Sequence, residues 1–265
     1  MLIDLESHSN FSKIIAFFTK SDLGLGFYTN KRSSLFDYSF FFNRLDFIEF
    51  NYLNFLQYLN IPYIEETNQL NFLRLGDSDK SLEEKINKIK LSKNDKFFVI
   101  NINASDLCIE RKWNINDFIQ LIQKLLKYNY KIILIGSKKE KKNTDIIENK
   151  YKNFSNKIYN FAGITSIGEL ISLFKLYKIV FITNDSGPLH LANIAKSATV
   201  SLWGPGDPIH YAENYDNHKI LYKKVYCSPC IYVYVEPPCK GNNICMKNID
   251  SEEVFNESLK LINKL

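Results

Sequence analysis

The sequence predicts an α/β protein whose C-terminal two-thirds forms a parallel β-sheet covered by helices. Short apolar runs rich in Ile, Val and Phe recur between residues 97 and 203. Segments of about ten to fifteen residues with helical periodicity separate these runs. Hydrophobic residues make up 45% and charged residues 24% of the chain, a balance typical of a globular protein. Because strands joined by such helices form right-handed βαβ units, we expect one Rossmann-like domain over residues 93–250.

Residues 1–92 are predicted to form a partial α/β domain and a linker. The segment begins with strand-like runs over residues 2–5 and 25–27 and a helical pattern over residues 11–19. A stretch crowded with Phe and Tyr follows over residues 36–63, and it contains a further helical pattern. Residues 76–96 are polar and Lys-rich and are interpreted as the linker. These strands are too few for an independent doubly wound domain.

The C-terminal domain is predicted to alternate strands and helices. Strands are expected over residues 97–102, 131–136, 157–161, 178–183 and 198–203, and helices over residues 114–128, 139–150, 167–177 and 188–196. The first of these helices has the clearest pattern, because apolar residues repeat at i, i+3, i+4, i+7 and i+8 from Phe118 to Leu126. A helix over residues 251–265 is predicted to close the domain.

Charge and hydropathy exclude several classes of function. Lys and Arg number 34 against 29 Asp and Glu, and the net charge of +5 is spread along the chain. Because no basic block is present, no nucleic-acid partner is expected. No apolar stretch approaches the roughly 18–20 residues of a membrane span. Asp4 and Glu6 stand where a secretory signal would carry basic residues, so we expect a cytoplasmic protein.

A candidate anion site lies where a predicted strand ends and a helix begins, at Thr183-Asn184-Asp185-Ser186-Gly187-Pro188-Leu189-His190. Ser186 or Asp185 suits the N-cap, and Pro188 suits the first helical position. Gly187 allows a ligand to approach the backbone, and free N–H groups at a helix start attract anions. Parallel sheets bind ligands at the carboxyl ends of their strands. The local sequence alone fits a capped helix with a surface histidine equally well.

A second turn follows the next predicted strand, at Leu202-Trp203-Gly204-Pro205-Gly206-Asp207-Pro208. Its Gly and Pro residues predict a turn beside the candidate anion site. Taken alone, this motif is typical of any tight turn.

Three motifs together resemble glycosyltransferase family 9, the family of the bacterial lipopolysaccharide heptosyltransferases. They are Asn160-Phe161-Ala162-Gly163-Ile164-Thr165-Ser166, the segment from Asn184 to Ala192, and the turn over residues 202–208. Upstream, Arg111-Lys112-Trp113-Asn114 resembles the family's basic–basic–Trp–Pro motif with Asn114 in place of the proline, and Leu134-Ile135-Gly136-Ser137 resembles its strand-to-glycine turn. Order and spacing match throughout the C-terminal domain, so the resemblance is specific.

The resemblance implies the GT-B architecture of two Rossmann-like domains, of which this chain holds a complete C-terminal donor domain and a partial N-terminal acceptor-side domain. It implies transfer of a sugar from a nucleotide-diphosphate donor, ADP-heptose in the best-known members, to a lipopolysaccharide or surface-glycan acceptor. Transfer would invert the anomeric centre and require no cofactor. The implied partners are the nucleotide sugar and a glycolipid or oligosaccharide acceptor. Through that acceptor the protein would contact the inner face of the bacterial inner membrane peripherally.

The resemblance also implies a donor site at the strand ends and at the start of the following helix. Its residues are Arg111, Lys112, Gly136, Ala162, Gly163, Asp185, Ser186, Gly187, Leu189 and His190. The donor diphosphate would rest on the helix start, and the Ala162-Gly163 turn would lie under the nucleobase. Arg111 or Lys112 would add a cation, and the sequence leaves open which of the two does so. Asp185 is expected to orient ligand hydroxyls or the loop, and to stay ionised and weakly basic.

No catalytic residue is assigned from the sequence. The family carries its base as an Asp in a Gly-Asp loop after the opening strand, and that loop is expected upstream of Met1. Asp4 and Glu6 are interpreted as strand-end residues. The alternative function is a non-catalytic nucleotide-binding remnant, or one piece of a split glycosyltransferase.

Four of the five cysteines, Cys227, Cys230, Cys239 and Cys245, cluster near the C-terminus, whereas Cys108 stands alone. This segment also recurs in many members of the family. Four thiolates could hold a structural Zn²⁺, and free thiols are the alternative in a reducing compartment. Because the second pair lacks the two-residue spacing typical of zinc sites, no metal is assigned.

Overall fold

The computed structural model describes residues 1–6, 10–19, 21–28, 36–62, 75–106, 108–231, 233 and 236–265. The chain divides into two compact units, residues 1–67 with 209–212 and residues 68–208 with 213–265. Both units are of the α/β class, and each carries its own parallel sheet.

The smaller unit is built on a three-stranded parallel sheet. Its strands are β1 (Leu2–Ile3), β2 (Gly24–Tyr28) and β3 (Tyr38–Phe41), and its helices include α1 (Asn10–Phe18) and α2 (Ile48–Tyr58). The strand order is β1-β2-β3. Phe27 is fully buried, and its ring lies 5.0 Å from the ring centroids of both Phe42 and Phe55. The aromatic residues of this segment therefore supply its core.

The larger unit is built on a six-stranded parallel sheet. Its strands are β4 (Lys96–Asn101), β5 (Ile132–Leu134), β6 (Ile158–Asn160), β7 (Lys178–Asn184), β8 (Thr199–Trp203) and β9 (His218–Tyr222). Its helices include α3 (Gly76–Lys88), α4 (Ile115–Lys127), α5 (Lys141–Lys150), α6 (Ile167–Leu176), α7 (Gly187–Ile194), α9 (Ile244–Lys247) and α10 (Ser251–Lys264). The short helix α8 (Pro208–Tyr211) is assigned to the smaller unit except for its first residue. The strand order is β6-β5-β4-β7-β8-β9. This is the doubly wound order of a Rossmann-like sheet, and it confirms the predicted fold class.

Both faces of the larger sheet are buried, because successive side chains of a strand point to opposite faces. In β4, Phe98 and Ile100 join a core that includes residues of α4 and α10. Phe97 and Val99 join the opposite core, which includes residues of α3 and α6. The sequence of β4 is continuously apolar because helices cover both faces of the sheet and bury the side chains on each side.

The segment interpreted as a linker contains a helix instead. Residues 76–88 form α3, which packs against α6. Leu82 and Ile86, one helical turn apart, are fully buried in the core of the larger unit. The expectation of a linker over residues 76–96 is therefore wrong for α3, because Leu82 and Ile86 anchor this otherwise polar helix in the core.

Polar side chains define where two of the sheet-covering helices begin. Asn114 is the N-cap of α4, and its side-chain oxygen accepts from the N–H of Asn116. Ser166 and Glu169 form a capping box at the start of α6. The starts of both helices agree with the sequence prediction to within one residue.

Candidate functional site

The candidate site lies at the carboxyl ends of β4 and β7, the two central strands of the larger sheet. From β4 the chain continues to β5 and β6 on one side, and from β7 it continues to β8 and β9 on the other. Loops that leave the two central strands in opposite directions open a crevice, which is where open parallel sheets bind ligands. The motif that begins at Thr183 ends β7 at this point.

Buried polar side chains join the two strand ends. Asn101, at the end of β4, donates from Nδ2 to the hydroxyls of Ser186 at 3.1 Å and Thr183 at 3.3 Å. Those two hydroxyls lie 3.0 Å apart. Ser186 is the N-cap residue of α7, as predicted, but its side chain makes no capping hydrogen bond. Its hydroxyl is held by Asn101 and Thr183, so the first N–H groups of α7 are left uncapped by it.

Gly187 leaves open space at the start of α7. A Cβ atom placed on this glycine would have no neighbour within 4 Å in the described part of the chain. Pro188 occupies the second position of the helix, one residue later than expected. Leu189 is fully buried, and its N–H donates to the Ser186 carbonyl at 3.0 Å. Of these residues, Gly187 is the one at which the helix start is open to a ligand.

Asp185 and Arg111 form an ion pair beside this helix start. Arg111 Nε lies 3.2 Å from Asp185 Oδ2, and the two side chains are 18% and 7% exposed. The pair is an electrostatic contact, since neither atom makes a hydrogen bond of good geometry among the described residues. Burial raises the pKa of Asp185, and the charges of Arg111 and His190 offset part of that rise. Asp185 is therefore more basic than the sequence analysis expected, because its desolvation outweighs its cationic neighbours.

The structure separates the roles of the two adjacent basic residues. Lys112 Nζ donates to Asp106 Oδ1 at 3.0 Å, and Asp106 is almost fully exposed. Arg111 instead points to Asp185 at the sheet edge. The geometry therefore favours Arg111 over Lys112 as the cation of the candidate site.

His190 lies in the first turn of α7. The pKa of His190 is lowered, chiefly by desolvation. The Arg111 guanidinium adds to this lowering, and the Asp185 carboxylate offsets part of it. His190 thus shares one electrostatic neighbourhood with the ion pair, as the motif spacing predicted.

The glycine turns after β5 and β6 meet at the same edge of the sheet. The N–H of Gly163 donates to the Gly136 carbonyl at 2.8 Å. Gly163 has a φ of +78°, and a Cβ there would lie 3.0 Å from Lys138 Cα. A Cβ on Gly136 would lie 3.0 Å from Asn103 Nδ2, a buried amide nitrogen with no hydrogen-bond partner in the described structure. Ala162 is fully buried next to this turn.

Asn184 is a structural residue of the site that the sequence analysis did not identify. It is fully buried at the end of β7, and its Oδ1 accepts from the Trp113 N–H at 3.0 Å. Its Nδ2 donates to the carbonyls of Ile102 at 3.3 Å and Asn103 at 3.2 Å. Asn184 therefore connects three chain segments that are far apart in sequence.

The five cysteines lie close enough together to influence one another's charge. Burial raises the pKa of Cys230 to about 11, and Cys227, Cys245, Cys108 and Cys239 add to the rise. Cys108 therefore belongs to the same neighbourhood, although it stands apart in sequence. In the described ranges, no three His, Cys, Asp or Glu side chains are placed to hold a metal ion. The zinc interpretation of Cys227, Cys230, Cys239 and Cys245 finds no support in this arrangement.

The carboxylate of Asp4 in the smaller unit serves the local fold. It accepts from the Glu6 N–H and from the Ser12 hydroxyl, both at 2.9 Å. These contacts agree with its interpretation as a strand-end residue.

Open sheets of this doubly wound order bind ligands at their central strand ends, and here an open helix start lies at that point. Solved structures of the same fold include GT-B-type glycosyltransferases. E. coli ADP-heptose lipopolysaccharide heptosyltransferase II is similar with a TM-score of 0.69 at 17% identity, over 99% of this chain and 75% of that one. A glycosyltransferase of family 9 from Veillonella parvula is similar with a TM-score of 0.72 at 17% identity, over 100% and 74%.

Sequence comparison shows the family. The family model of glycosyltransferase family 9 (heptosyltransferase) matches residues 5–235. The chain belongs to this family, as its motifs predicted. Two Campylobacter jejuni proteins, each named lipooligosaccharide heptosyltransferase 2, are 27% and 24% identical over 176 and 212 residues. These matches cover 66% and 76% of this chain but only 54% and 65% of the relatives, so the chain spans less than two thirds of their length.

None of the helices that the structure describes is long and apolar enough to cross a membrane.

Proposed function

We propose that this protein binds a nucleoside-diphosphate sugar of the ADP-heptose type in its larger unit. We propose further that the sugar is transferred, with inversion, to a lipopolysaccharide or surface-glycan acceptor. The family supports sugar transfer, and one structural relative is named as an ADP-heptose enzyme. A lipid-linked acceptor would bring the protein into peripheral contact with the inner face of the inner membrane.

The observation that carries the proposal is the open start of α7 beside an incompletely hydrogen-bonded cation. A diphosphate seated at Gly187 would accept from the first N–H groups of α7 and meet the positive end of the helix. Arg111 Nε is buried against Asp185, but 18% of the Arg111 side chain is exposed, so a phosphate oxygen would meet the guanidinium at its exposed part.

The same groups suit the chemistry of transfer. Negative charge grows on the nucleoside diphosphate as the bond to the sugar breaks, and Arg111 and the helix start would stabilise that charge. His190, beside them, offers a ring N–H donor, since its lowered pKa favours the neutral imidazole. Gly136 and the Ala162-Gly163 turn would lie beside the nucleoside, because they follow the carboxyl ends of β5 and β6.

Asp185 is assigned to orientation and not to general base catalysis. Its carboxylate is ion-paired with Arg111, and a Cβ on Gly206 would lie 2.5 Å from Asp185 Oδ2, so the turn after β8 packs closely against it. A buried, paired carboxylate fixes the guanidinium and can accept from a sugar hydroxyl. The same geometry favours a second candidate function, nucleotide binding without transfer, because Asp185 is not an open base.

Isothermal titration of the protein with ADP, UDP and GDP tests the donor site. We expect ADP to bind, and Arg111→Ala to weaken its binding by about tenfold or more through loss of a charge-assisted hydrogen bond. Lys112→Ala is the matched comparison and should weaken ADP binding less, because Lys112 is turned to Asp106. If the folded protein binds none of the three nucleotides, the donor site is refuted.

Release of ADP from ADP-heptose, followed with and without a lipopolysaccharide-core acceptor, separates the two functions. Acceptor-dependent release supports transfer, whereas tight binding with no release supports the binding function. We expect release to persist in EDTA, because Arg111 and the helix start supply the positive charge that a metal would otherwise provide.

A further inference from the structure

The segment formed by residues 243–246, here called the brace, contacts the loop that carries Arg111. Asn243 Nδ2 donates to the Glu110 carbonyl at 2.7 Å and lies 3.4 Å from the Lys112 carbonyl. These two carbonyls flank Arg111. The other end of the amide is also engaged, since Asn243 Oδ1 accepts from Cys245 Sγ at 3.4 Å. The amide is therefore oriented with its donor group toward the Arg111 loop.

The brace also supports the Gly-Pro-Gly turn after β8. Cys245 and Met246 are buried, and a Cβ on Gly204 would lie 2.9 Å from Cys245 Sγ and 2.6 Å from Met246 Sδ. Only a glycine fits at that separation, so the turn rests directly on α9.

These contacts close a ring around the ion pair of the donor site. The brace holds the backbone on both sides of Arg111, and Arg111 pairs with Asp185. Asp185 packs against Gly206, two residues from the Gly204 that rests on the brace. Both groups of the ion pair thus depend on one short segment more than 130 residues further along the chain than the Arg111 loop.

The Arg111 loop needs such support. Residues 109–111 form a single turn of 3₁₀-helix whose N-cap makes no side-chain hydrogen bond. A turn of this kind has weak hydrogen bonds of its own. An arginine side chain also loses substantial rotamer freedom when it is fixed, so its backbone must be held if the guanidinium is to stay in place.

We propose that Asn243 is a positioning residue, which holds the Arg111 loop so that the guanidinium stays against Asp185 and faces the donor diphosphate. The inference rests on the proposed function for the identity of the ligand. The effect of Asn243 on the position of Arg111 does not depend on the proposed function, because it is measurable without any ligand.

A double-mutant cycle with ADP as the probe tests the coupling. We expect Asn243→Ala to weaken ADP binding about tenfold in the native background and less than about twofold in an Arg111→Ala background. Asn242→Ala is the matched control, because Asn242 accepts from Lys247 at the surface and touches neither the loop nor the turn in the described contacts. Losses that multiply in the double variant, or no loss in Asn243→Ala, would overturn the proposal.

Titration of His190 by NMR gives the ligand-free readout. The Arg111 guanidinium lowers the pKa of His190, so Asn243→Ala should raise that pKa in the same direction as Arg111→Ala. An unchanged pKa in the folded Asn243→Ala variant contradicts the proposal whether or not ADP binds. Where the alanine variant does not fold, Asn243→Leu replaces it, because leucine has nearly the same size and shape as asparagine, removes the donor and adds no charge.

Discussion

The Arg111–Asp185 pair holds two charges close together at 3.2 Å without a well-formed hydrogen bond between them. A buried pair of this kind is costly to desolvate and gains little from hydrogen bonding. The raised pKa of Asp185 reflects that cost. The proposed diphosphate would add, at the exposed part of the Arg111 guanidinium, hydrogen bonds that the ion pair lacks.

Gly187→Ala separates ligand binding from stability at a single residue. No described atom lies within 4 Å of the added methyl group, so we expect the free energy of unfolding to change by less than about 0.5 kcal/mol. ADP binding should weaken by at least about tenfold, since the methyl group would occupy the space of a phosphate. The measurements are denaturant unfolding and calorimetry.

Gly76→Ala is the matched control for this prediction. Gly76 also begins a helix and also has open space around its Cβ position, but it lies outside the candidate site. We expect this variant to bind ADP normally. Equal loss of binding in both variants would show that Gly187 has no special relation to the ligand.

His218 predicts a pH dependence of stability. It is buried on β9, its Nε2 lies 2.7 Å from Ser201 Oγ, and its Nδ1 lies 2.5 Å from the Glu213 carbonyl. Burial lowers its pKa, and the Glu213 carbonyl offsets part of that shift. The unfolded chain therefore binds the proton first, and stability falls as pH drops below about 6.5 toward the folded pKa, by at most about 1.4 kcal/mol per pH unit.

Urea unfolding of the native protein and of His218→Gln between pH 8 and pH 5 checks this expectation. The difference in free energy of unfolding between the two should shrink as the pH falls. A difference that stays constant across this range would mean that His218 binds protons equally in both states.

At the residue scale, the sequence predicts which kind of side chain stands at a site better than it predicts which other residues that side chain contacts. Ser186 is the N-cap as predicted, but its hydroxyl is bound by Asn101 from another strand. Arg111 and Lys112 are alike in local sequence, and only the positions of Asp185 and Asp106 in space distinguish them. The roles of residues such as Asn243 depend on contacts across more than 130 residues, which no local pattern contains.

At the element scale, α3 shows how a polar segment becomes part of a core. Two side chains of α3 bind the buried carboxylate of Glu169 on α6. Glu169 Oε1 accepts from Lys85 Nζ at 2.5 Å and from the Ser81 hydroxyl at 2.7 Å, and these hydrogen bonds are the clearest link between the two helices. Burial alone would raise the pKa of Glu169, but hydrogen bonds from Lys85, the Ser166 N–H and Ser81 lower it on balance. The folded state therefore favours the carboxylate form.

Glu169→Gln should lower the free energy of unfolding by about 1.5–3 kcal/mol at pH 7, because it removes the charge from these hydrogen bonds. The loss should shrink as the pH falls through the folded pKa of the carboxyl, where the native side chain also becomes neutral. Glu83→Gln is the control on α3, since Glu83 is half exposed and lies 3.5 Å from Lys93. We expect it to change stability by less than about 0.5 kcal/mol. Equal effects of the two substitutions would contradict the assignment of Glu169 as a structural link.

The sequence predicts β4 to β8, because each contains a continuous run of apolar residues. It does not predict β9, whose apolar run is interrupted. β9 reads His218-Lys219-Ile220-Leu221-Tyr222, with a histidine and a lysine at its start. Pairing with β8 and the hydrogen bond from Ser201 to His218 accommodate these residues. Tertiary contacts thus override a weak local preference at the edge of the sheet.

At the scale of the whole chain, the two units differ in the size of the cores that their described residues form. The core of the smaller unit centres on Leu25, Phe27, Phe42 and Phe55, whereas the larger unit has a packed core on each face of its sheet. Local opening is easier where less apolar surface is buried. We expect backbone amides of β2 to exchange with solvent at least about tenfold faster than those of β4 and β7. Comparable exchange rates in the two sheets would indicate a single cooperative unit.

The position of β7 beside β4 has a consequence for how the protein is made. Lys96 pairs with Lys178, so the two central strands are separated by about 80 residues of chain. At a ribosomal rate of about 5–20 residues per second, β7 is synthesised about 4–16 s after β4, with which it pairs. During that interval, β4, β5 and β6 can assemble only as a half-sheet with one unpaired central edge. That edge is a template for pairing with other nascent chains, and the burial of β4 in the finished fold removes it.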